Sequence, residues 1–372
     1  MTITSIIRDQ IRNHPRRAIP FARFMELALY HPEGGYYMSA RPKVGRDGDF
    51  FTSATVHPVF AETLADVVAE MWQSGGWTAP ALVEIGGGTG ALSGSMLRRL
   101  RETVPELYRD MRLVLIETSP YHRQLQQEVL RDAEVETRWY SSLREAAAEG
   151  VEGVILSNEW LDAFPVHVVE KTADCWREVW VTETDGGFAE VLGELTFALE
   201  DSLQEMDESL PRGMRIEVNT AMEETAADLS RLLRQGYVLT VDYGDVQEEL
   251  YHPARKRGTL MCYHRHQAHD NPYVHVGEQD ITAHVNFSAW MRAGERTGLK
   301  TLAYMRQDRF LIKCGLLEKA VAHADTDPFT SEAMKRNRAI QQLIYPGGLG
   351  GLFRVLVQAK AMPDGVPLSF LR

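Results

Sequence analysis

The sequence predicts an α/β fold built on a mostly parallel, doubly wound, Rossmann-like sheet. From Ala81 onward, short runs rich in Val, Leu and Ile alternate with helical stretches, as in chains of βαβ units. The first run ends in a glycine-rich turn, and later runs end in polar residues, as expected where parallel strands open onto a ligand site. The seven expected strands are residues 81–86, 112–118, 135–141, 153–159, 236–244, 299–305 and 353–361. We expect the last strand to be a reversed edge strand.

Length and charge narrow the class of protein. With 372 residues, the chain is long enough for one large domain or two domains with a sizeable core. The formal net charge is −12, whereas a protein that binds nucleic acid needs a basic surface. We therefore expect no nucleic-acid partner, and a basic peptide or protein segment is the better candidate.

Cysteine usage and hydropathy bear on the cellular compartment. Three widely spaced cysteines, Cys175, Cys262 and Cys314, indicate no disulfide framework and fit a reducing compartment. No apolar stretch approaches the ~20 residues of a membrane helix, and the N-terminal segment has no apolar signal core. We expect no membrane insertion and a bacterial-type cytoplasmic location, or the mitochondrial matrix if the source is eukaryotic.

The N-terminal part is predicted to be helical, with one long loop. Residues 4–31 carry apolar side chains at helical spacing, and residues 56–73 form a second such stretch. Between them lies a Gly-, Pro- and Tyr-rich loop that is too long for a simple connector, and long ordered loops are often functional. We assign residues 1–75 to an N-terminal extension that covers the ligand site.

The glycine-rich turn is the most informative motif. Glu84 precedes Gly86, Gly88 and Gly90 in ALVEIGGGTGALSGSML, and glycines let a backbone approach a ligand closely. Gly86, Gly88 and Ala91 also fit the dinucleotide fingerprint, which holds a pyrophosphate. A carboxylate before the turn would repel a pyrophosphate but suits the cationic S-adenosylmethionine. We favour a methyl-donor site; a nicotinamide oxidoreductase and a turn without ligand are the alternatives.

Polar residues at two other strand ends are candidates for the same site. Glu117 ends the second strand, where an acid can accept hydrogen bonds from ribose hydroxyls; a solvated acid is the alternative. Asn158 and Glu159 end the fourth strand, and Asp162 follows, so we expect all three to face the ligand cleft. Simple capping of the next turn is their alternative role.

Two carboxylates near a methyl donor suggest a guanidinium acceptor. The pKa of arginine is about 12.5–13.8, so its nitrogens are poor nucleophiles. Paired acids can hold the planar guanidinium bidentately, polarise the attacking nitrogen and take up the charge shift as its proton leaves. The two carboxylates therefore favour a guanidinium group, such as that of arginine, as the methyl acceptor.

Residues 166–215 interrupt the alternation of strands and helices. Three strand-like runs with a hairpin turn at residues 185–187 predict an inserted antiparallel β subdomain, flanked by a sheet domain formed by residues 76–165 and 216–372. Residues 178–211 contain no Lys or Arg but many acids. This acidic stretch is either a solvated face or a docking surface for a basic partner.

Residues 258–287 are rich in histidine: His264, His266, His269, His275 and His284, with Cys262 nearby. Their spacing matches none of the usual zinc patterns, so we expect no metal. A long loop over the ligand edge of the sheet that shapes the acceptor pocket is one interpretation, and plain surface histidines are the other.

Taken together, several motifs resemble a known family. EIGGGTG, IETS, SNEWLDAFPVH, VDYG, GTLMCYHRH and GEQDITAHVNF, with LYHPEGGYY and GDFFTS upstream, are similar to those of the MidA-type S-adenosylmethionine-dependent methyltransferases. That group includes a mitochondrial complex I assembly factor that dimethylates an arginine of a complex I core subunit. The motifs span about residues 24–290, and their order is more specific than the glycine turn alone. The resemblance implies a methyltransferase sheet.

The resemblance also implies roles for individual residues. Gly86, Gly88 and Gly90 would wrap the methyl donor, Glu117 would hold its ribose, and Thr52 and Ser53 would approach it. Catalytic or acceptor-facing residues would be Asn158, Glu159 and Asp162, with Trp160, His264, Asp280 and His284 in the substrate pocket. After GDFFTS the family usually continues with Pro-Glu, whereas this chain has Ala54 and Thr55, so the contact of that glutamate is not carried over.

The resemblance implies that the partner is a protein with an accessible arginine, and a respiratory complex I subunit is one candidate. Two alternatives from other classes stay open: a methyltransferase of a small molecule or another side chain, and an assembly factor that binds S-adenosylmethionine with little catalysis. The sequence predicts no oligomeric state.

Overall fold

A computed structural model describes residues 2–45, 48–49, 57–204, 210–323 and 331–372. The predicted cofactor residues Thr52 and Ser53 lie outside these ranges. The chain divides into two compact units. The α/β unit comprises residues 51–160, 224–244 and 290–372, and the accessory unit comprises residues 1–50, 161–223 and 245–289.

The strands are numbered in chain order. They are β1 (Ile19–Pro20), β2 (Ala81–Ile85), β3 (Arg112–Ile116), β4 (Glu136–Tyr140), β5 (Val151–Asn158), β6 (His167–Lys171), β7 (Trp176–Thr184), β8 (Gly187–Gly193), β9 (Arg215–Val218), β10 (Leu233–Asp245), β11 (Met261–His264), β12 (Gln267–His269), β13 (Asp280–Thr282), β14 (Val285–Asn286), β15 (Lys300–Arg306) and β16 (Phe353–Lys360).

The helices occur in both units. The α-helices are Ile3–Asn13, Phe21–Tyr30, Pro58–Gly75, Ala91–Thr103, Pro105–Asp110, Pro120–Val129, Leu143–Ala146, Phe197–Gln204, Met222–Leu232, Gln247–Leu250, Phe287–Arg296, Gln307–Lys313, Glu332–Ile344 and Leu349–Leu352, and the 3₁₀ helices are Leu316–Lys319 and Ser369–Leu371. Within the described part of the chain, no helix has the length and apolar character needed to cross a membrane.

The sheet of the α/β unit contains all seven predicted strands. Its main path runs β15-β16-β10-β5-β2-β3-β4. The pairs β5/β10, β2/β5, β2/β3 and β3/β4 are parallel, whereas β16 is antiparallel to both β10 and β15. The prediction of a mostly parallel sheet is therefore confirmed. The prediction that the reversed strand lies at the edge is wrong, because β16 pairs on both sides and β15 takes the edge.

The sequence forms this sheet because its central strands are apolar on both faces. All five residues of β2 are buried, as are four of the five in β3, which is typical of parallel strands covered by helices. The helix Pro58–Gly75 has proline in its first turn, is capped by His57 and ends at Gly76, whose φ is +66°. Its Trp72 and Phe60 are fully buried in one core with apolar residues of the sheet.

Two glycines let the central strands pair closely. Gly153 of β5 lies opposite Gly236 of β10 and, on the other side, opposite Ala81 of β2. Gly153 and Gly236 have φ of +147° and +136°. A Cβ atom on Gly153 would lie 2.1 Å from the carbonyl oxygen of Ala81. Only glycine therefore fits there without moving the backbone of β2.

The accessory unit joins three distant chain segments. Its larger sheet has the order β1-β7-β6-β9, with β8 paired to β7, and a smaller sheet has the order β12-β11-β13. Ile19 of β1 pairs with Val181 of β7. Buried residues from all three segments share one core, including Phe24, Val181 and Ile281.

The observed units differ from the predicted domains. Residues 1–50 pack with residues 161–223 and 245–289 in one unit, whereas the sequence analysis treats residues 1–75 and 166–215 as separate additions to a sheet domain. The reason is the β1–β7 pairing, which joins segments that are far apart in the chain. The histidine-rich residues 258–287 also differ from expectation, because they contain β11, β12 and β13 rather than one long loop.

Several acids of the stretch 178–211 pair with residues from elsewhere in the accessory unit. Glu183 pairs with Arg12 at 2.9 Å, Glu194 with Arg16 at 2.5 Å and Glu190 with Arg215 at 2.7 Å. The buried Glu178 lies 2.7 Å from Nδ1 of His167. For Glu183, Glu190 and Glu194, the cations thus come from parts of the chain that are distant in sequence.

Replacing Gly153 with alanine tests the close strand pairing. The variant combines a positive φ, which costs an L-residue about 1–2 kcal/mol, with overlap against the β2 backbone, which costs about 1–3 kcal/mol more. We expect Gly153→Ala to lower the free energy of unfolding by about 3 kcal/mol, measured as a shift of the urea midpoint.

Gly298→Ala is the matched control. Gly298 has φ of +88°, and a Cβ atom added to it would meet no atom within 4 Å in the ranges that the structure describes, so the variant carries the conformational cost alone. Equal midpoints for the two variants would contradict the close pairing of β2 and β5.

Candidate functional site

The glycine turn connects β2 to the helix Ala91–Thr103. Gly86, Gly88 and Gly90 have φ of +68°, +53° and +81°, a backbone region that favours glycine. A Cβ atom on Gly86 would lie 3.0 Å from the ring of Trp160, whereas one on Gly88 would meet no atom of the described residues within 4 Å. The turn thus has a side chain packed against Gly86 and open space beside Gly88.

Glu84 lies under this turn. It is only 3% exposed and accepts a hydrogen bond from the hydroxyl of Ser93. A Cβ atom on Gly87 would lie 2.8 Å from its carboxyl carbon. Burial raises the pKa of Glu84 to about 7, and the hydrogen bonds from Ser93 act in the opposite direction. The acid predicted from the sequence is therefore poised between its neutral and charged forms near neutral pH.

Glu117 follows β3 and contacts the same turn. Its Oε2 accepts a hydrogen bond from the backbone N–H of Gly88 at 3.2 Å, and its Oε1 accepts one from the backbone N–H of Ser119 at 2.8 Å. Burial raises the pKa of Glu117 to about 7, although these hydrogen bonds favour its charged form. The structure thus brings together Glu84, the glycine turn and Glu117.

Gln126 also holds the turn, and sequence reasoning missed it. It is fully buried on the helix Pro120–Val129. Its Nε2 donates to the carbonyl oxygen of Gly88 at 3.0 Å, and its Oε1 accepts from Nε1 of Trp139 at 3.2 Å. No motif or spacing in the sequence ties this glutamine to the turn.

Asn158, Glu159 and Trp160 form a corner where β5 ends. Glu159 has φ of +53°, a left-handed conformation that is uncommon for a residue other than glycine. Its backbone N–H donates to the carbonyl oxygen of Val241 at 2.9 Å, and its carboxylate accepts from Nδ2 of Asn158 at 3.0 Å. Local strain of this kind is concentrated at functional sites.

The amide of Asn158 has one unsatisfied atom. Among the described residues, its buried Oδ1 has no hydrogen-bond partner. The orientation of the amide follows from its neighbour, because the Glu159 carboxylate accepts hydrogen bonds and so must face the Nδ2 group. An unpaired acceptor therefore lies beside the Glu159 carboxylate.

Asp242 is a second residue that the sequence analysis passed over. It lies near the end of β10 in the VDYG motif and is fully buried. Its Oδ2 accepts from the backbone N–H of Trp160 at 3.0 Å, and its Oδ1 accepts from the backbone N–H of Tyr243 at 2.9 Å. The sequence pattern that could have identified Asp242 is the one that identified Glu117, an acid that follows an apolar strand.

The remaining predicted residues belong to the accessory unit. Asp280 is 2% exposed and accepts a hydrogen bond from the hydroxyl of Tyr37 at 2.8 Å. Burial raises the pKa of Asp280 to about 6. Burial also raises the pKa of Tyr37, with further contributions from Asp280 and Asp162. The structure therefore gathers Asp162 and Asp280 around Tyr37.

The two predicted pocket histidines have different environments in the accessory unit. His264 stacks on His275, with ring centroids 4.2 Å apart, and its Nδ1 lies 3.0 Å from the carbonyl oxygen of Glu278. The backbone N–H of His284 donates to Oγ1 of Thr259 at 3.0 Å. In the described ranges, no cluster of three or more His, Cys, Asp or Glu side chains could hold a metal ion.

The residues around the turn fit S-adenosylmethionine better than a pyrophosphate. Open space beside the positive-φ Gly88 admits a ligand close to the backbone. Glu84 and Glu117 add two acids to the surroundings of the turn, and these would repel phosphate groups but attract a sulfonium. The oxidoreductase alternative therefore loses support.

Two crystal structures from Burkholderia thailandensis are similar to this chain over almost its whole length. One, bound to S-adenosyl-homocysteine, is 34% identical with a TM-score of 0.88, covering 100% of this chain and 94% of that chain. The other, a native form, is also 34% identical with a TM-score of 0.84, covering 99% and 93%. These similarities support S-adenosylmethionine as the cofactor.

Curated relatives carry a more specific name. The mitochondrial protein arginine methyltransferase NDUFAF7 homolog of Drosophila melanogaster is 28% identical, covering 95% of this chain and 83% of the relative. The human mitochondrial protein arginine methyltransferase NDUFAF7 is 27% identical, covering 90% and 78%.

A family model described as S-adenosyl-L-methionine-dependent methyltransferase matches residues 63–305. This match spans the glycine turn, the corner at the end of β5 and Asp242. Together with the crystal structures, it explains why acids and glycines gather at one end of the sheet. The chain belongs to the MidA-type family of S-adenosylmethionine-dependent methyltransferases.

Proposed function

We propose that this protein transfers methyl groups from S-adenosylmethionine to an arginine side chain of a protein substrate. The observation that carries the proposal is the Glu159 carboxylate, which follows β5 in a left-handed backbone conformation. Beside it lies Oδ1 of Asn158, a buried acceptor with no hydrogen-bond partner among the described residues. The names of the NDUFAF7 relatives support the same acceptor, at 27–28% identity.

The cofactor is proposed to lie against the glycine turn. Gly86, Gly88 and Gly90 are proposed to wrap it, and among the described residues the space beside Gly88 is open. Glu117 retains lone pairs that can accept from ribose hydroxyls, since each of its oxygens can take more than one hydrogen bond. Glu84 adds negative charge under the turn. When bound, S-adenosylmethionine supplies an electrophilic methyl group. Thr52 and Ser53 stay proposed cofactor contacts.

The acceptor is proposed to be held by Glu159 and Asn158. Because Nδ2 of Asn158 donates to Glu159, the carboxylate is oriented. The amide oxygen, which has no partner within the described part of the chain, can accept an N–H group. A guanidinium presents several N–H donors in a plane, so it can satisfy both acceptors at once. Alignment of this kind can supply on the order of 7–11 kcal/mol of the barrier reduction.

Glu159 has a second proposed task. Its negative charge stabilises the positively charged guanidinium, and its carboxylate can accept the proton that leaves the nitrogen after methyl transfer. Asp162 is proposed as a further catalytic acid. The substrate pocket is proposed to include Trp160, His264, Asp280 and His284, because these residues lie in motifs that resemble those of the family.

The protein partner is proposed to be a subunit of respiratory complex I, as the family resemblance implies. The named relatives are mitochondrial, and a cytoplasmic location for this chain is proposed only if its source is bacterial.

Glu159→Gln tests the catalytic proposal. The amide keeps the shape of the side chain but neither carries a negative charge nor accepts a proton. We expect turnover to fall by at least ~10²-fold, while affinity for S-adenosyl-homocysteine changes by less than about threefold. The assay is transfer of labelled methyl groups to protein extract from cells that lack the gene, followed by mass spectrometry of methylarginine.

The matched control is Glu152→Gln, an exposed acid on the same strand, which should leave turnover unchanged. Label that enters only small molecules would favour the alternative acceptor class. Normal activity of Glu159→Gln in cells would favour an assembly role without catalysis.

The pH dependence of cofactor affinity tests the role of Glu117. Its pKa of about 7 means that it is mostly neutral at pH 5.5 and mostly charged at pH 8. A bound cation favours the charged form, so the complex binds fewer protons and affinity rises with pH. Because glutamine resembles the neutral acid, the affinity of wild type relative to Glu117→Gln should grow about tenfold from pH 5.5 to pH 8.

Calorimetry with S-adenosylmethionine at both pH values measures the ratio of wild-type to Glu117→Gln affinity. Protonation of the ligand affects both proteins equally, so it cancels in this ratio. Glu134→Gln, which alters a surface acid, should match wild type at both pH values. A wild-type to Glu117→Gln ratio that does not change with pH would exclude Glu117 from the cofactor site.

A further inference from the structure

We propose that Asp242 is a positioning residue for methyl transfer, which holds Glu159 and Trp160 in the conformation that the reaction needs. This inference rests on the proposed function of Glu159. It adds a residue that would touch neither cofactor nor acceptor but would act through the backbone of the corner formed by Asn158, Glu159 and Trp160.

The hydrogen bonds of Asp242 indicate that it is present as a carboxylate. Its two oxygens each accept a backbone N–H, from Trp160 at 3.0 Å and from Tyr243 at 2.9 Å. Charge-assisted hydrogen bonds of this kind are stronger than neutral ones. An asparagine has a single acceptor oxygen, so it could serve only one of these two donors.

The corner needs such support because Glu159 is in an uncommon conformation. Its φ is +53°, which persists only where the surroundings enforce it. Two hydrogen bonds to β10 do so: the N–H of Glu159 donates to the carbonyl oxygen of Val241, and the next N–H, that of Trp160, donates to Asp242. Asp242 thus fixes the residue that follows the strained one.

Asp242 is itself held rigidly. In the antiparallel pairing of β10 and β16, Asp242 lies opposite Arg354. In the parallel pairing of β10 and β5, its neighbour Val241 lies opposite Asn158. The ring of Tyr243 lies 3.9 Å from that of Phe353 between centroids. The backbone of Asp242 is thus fixed by β16 on one side, and that of the preceding residue by β5 on the other. This limits how far the Asp242 side chain can move relative to the corner.

The corner also reaches the glycine turn. A Cβ atom on Gly86 would lie 3.0 Å from Cδ1 of Trp160, so the Trp160 ring packs directly on the turn. By fixing the backbone of Trp160, Asp242 sets the position of the Glu159 carboxylate relative to the turn. This relation between acceptor side and cofactor side is what an in-line transfer requires.

Asp242→Asn is the test, measured alone and combined with Glu159→Gln. We expect the single variant to lose on the order of 10–100-fold in kcat, with affinity for S-adenosyl-homocysteine within about threefold of wild type. In the Glu159→Gln background the same change should cost less than about twofold, because its effect passes through Glu159. The control is Asp228→Asn, a buried acid paired with Arg231 elsewhere in the α/β unit.

Each outcome decides the proposal. An unchanged kcat for Asp242→Asn overturns it, and so does a loss that multiplies with that of Glu159→Gln, because either result means that Asp242 does not act through Glu159. If Asp242→Asn does not fold, Asp242→Glu displaces the carboxylate by one methylene and carries the same expectations.

A failure of the proposed function would be recognised separately. If Glu159→Gln itself retains full turnover, Glu159 is not catalytic, and the crystal structure of Asp242→Asn then decides the positioning claim. Residue 159 should leave the left-handed region in that structure; a φ that stays near the wild-type value would overturn the inference.

Discussion

The parallel pairing of β2, β5 and β10 is the constraint on which the rest of the α/β unit depends. Gly153 allows β5 to lie between its neighbours, and the register places Ser157 opposite Ile85 on one side and opposite Thr240 on the other. The three strands therefore end together. As a result, the glycine turn, the corner after β5 and the end of β10 meet at one edge of the sheet, where ligands bind in open α/β folds.

Burial of acids gives this edge its chemical character. Glu84 and Glu117 are removed from water without full compensation, so the pKa of each rises to about 7. Perturbed acids of this kind are typical of functional sites. A positively charged ligand offsets the cost of ionising them, whereas a phosphate would add to it. The same physical property thus favours the methyl donor and disfavours a dinucleotide.

The accessory unit shows a different use of charge. Its acidic stretch pairs with arginines of the N-terminal helix and of β9, and Asp280 lies buried beside Tyr37. The first group of contacts joins segments that are far apart in the chain, and partly exposed pairs of this kind contribute little stability individually. The buried acids near Tyr37 are costlier, which supports a functional role for them.

The sequence by itself determined the seven strands, the turn and the acids at the strand ends, because apolar periodicity and glycine spacing are local properties. Only the tertiary structure decided which strands pair and which distant side chains contact each other. Trp160 meets Asp242 across 82 residues, β1 joins β7, and β16 enters between β10 and β15. Such pairings depend on which buried surfaces fit together after the chain has closed long loops, and no local pattern records that choice.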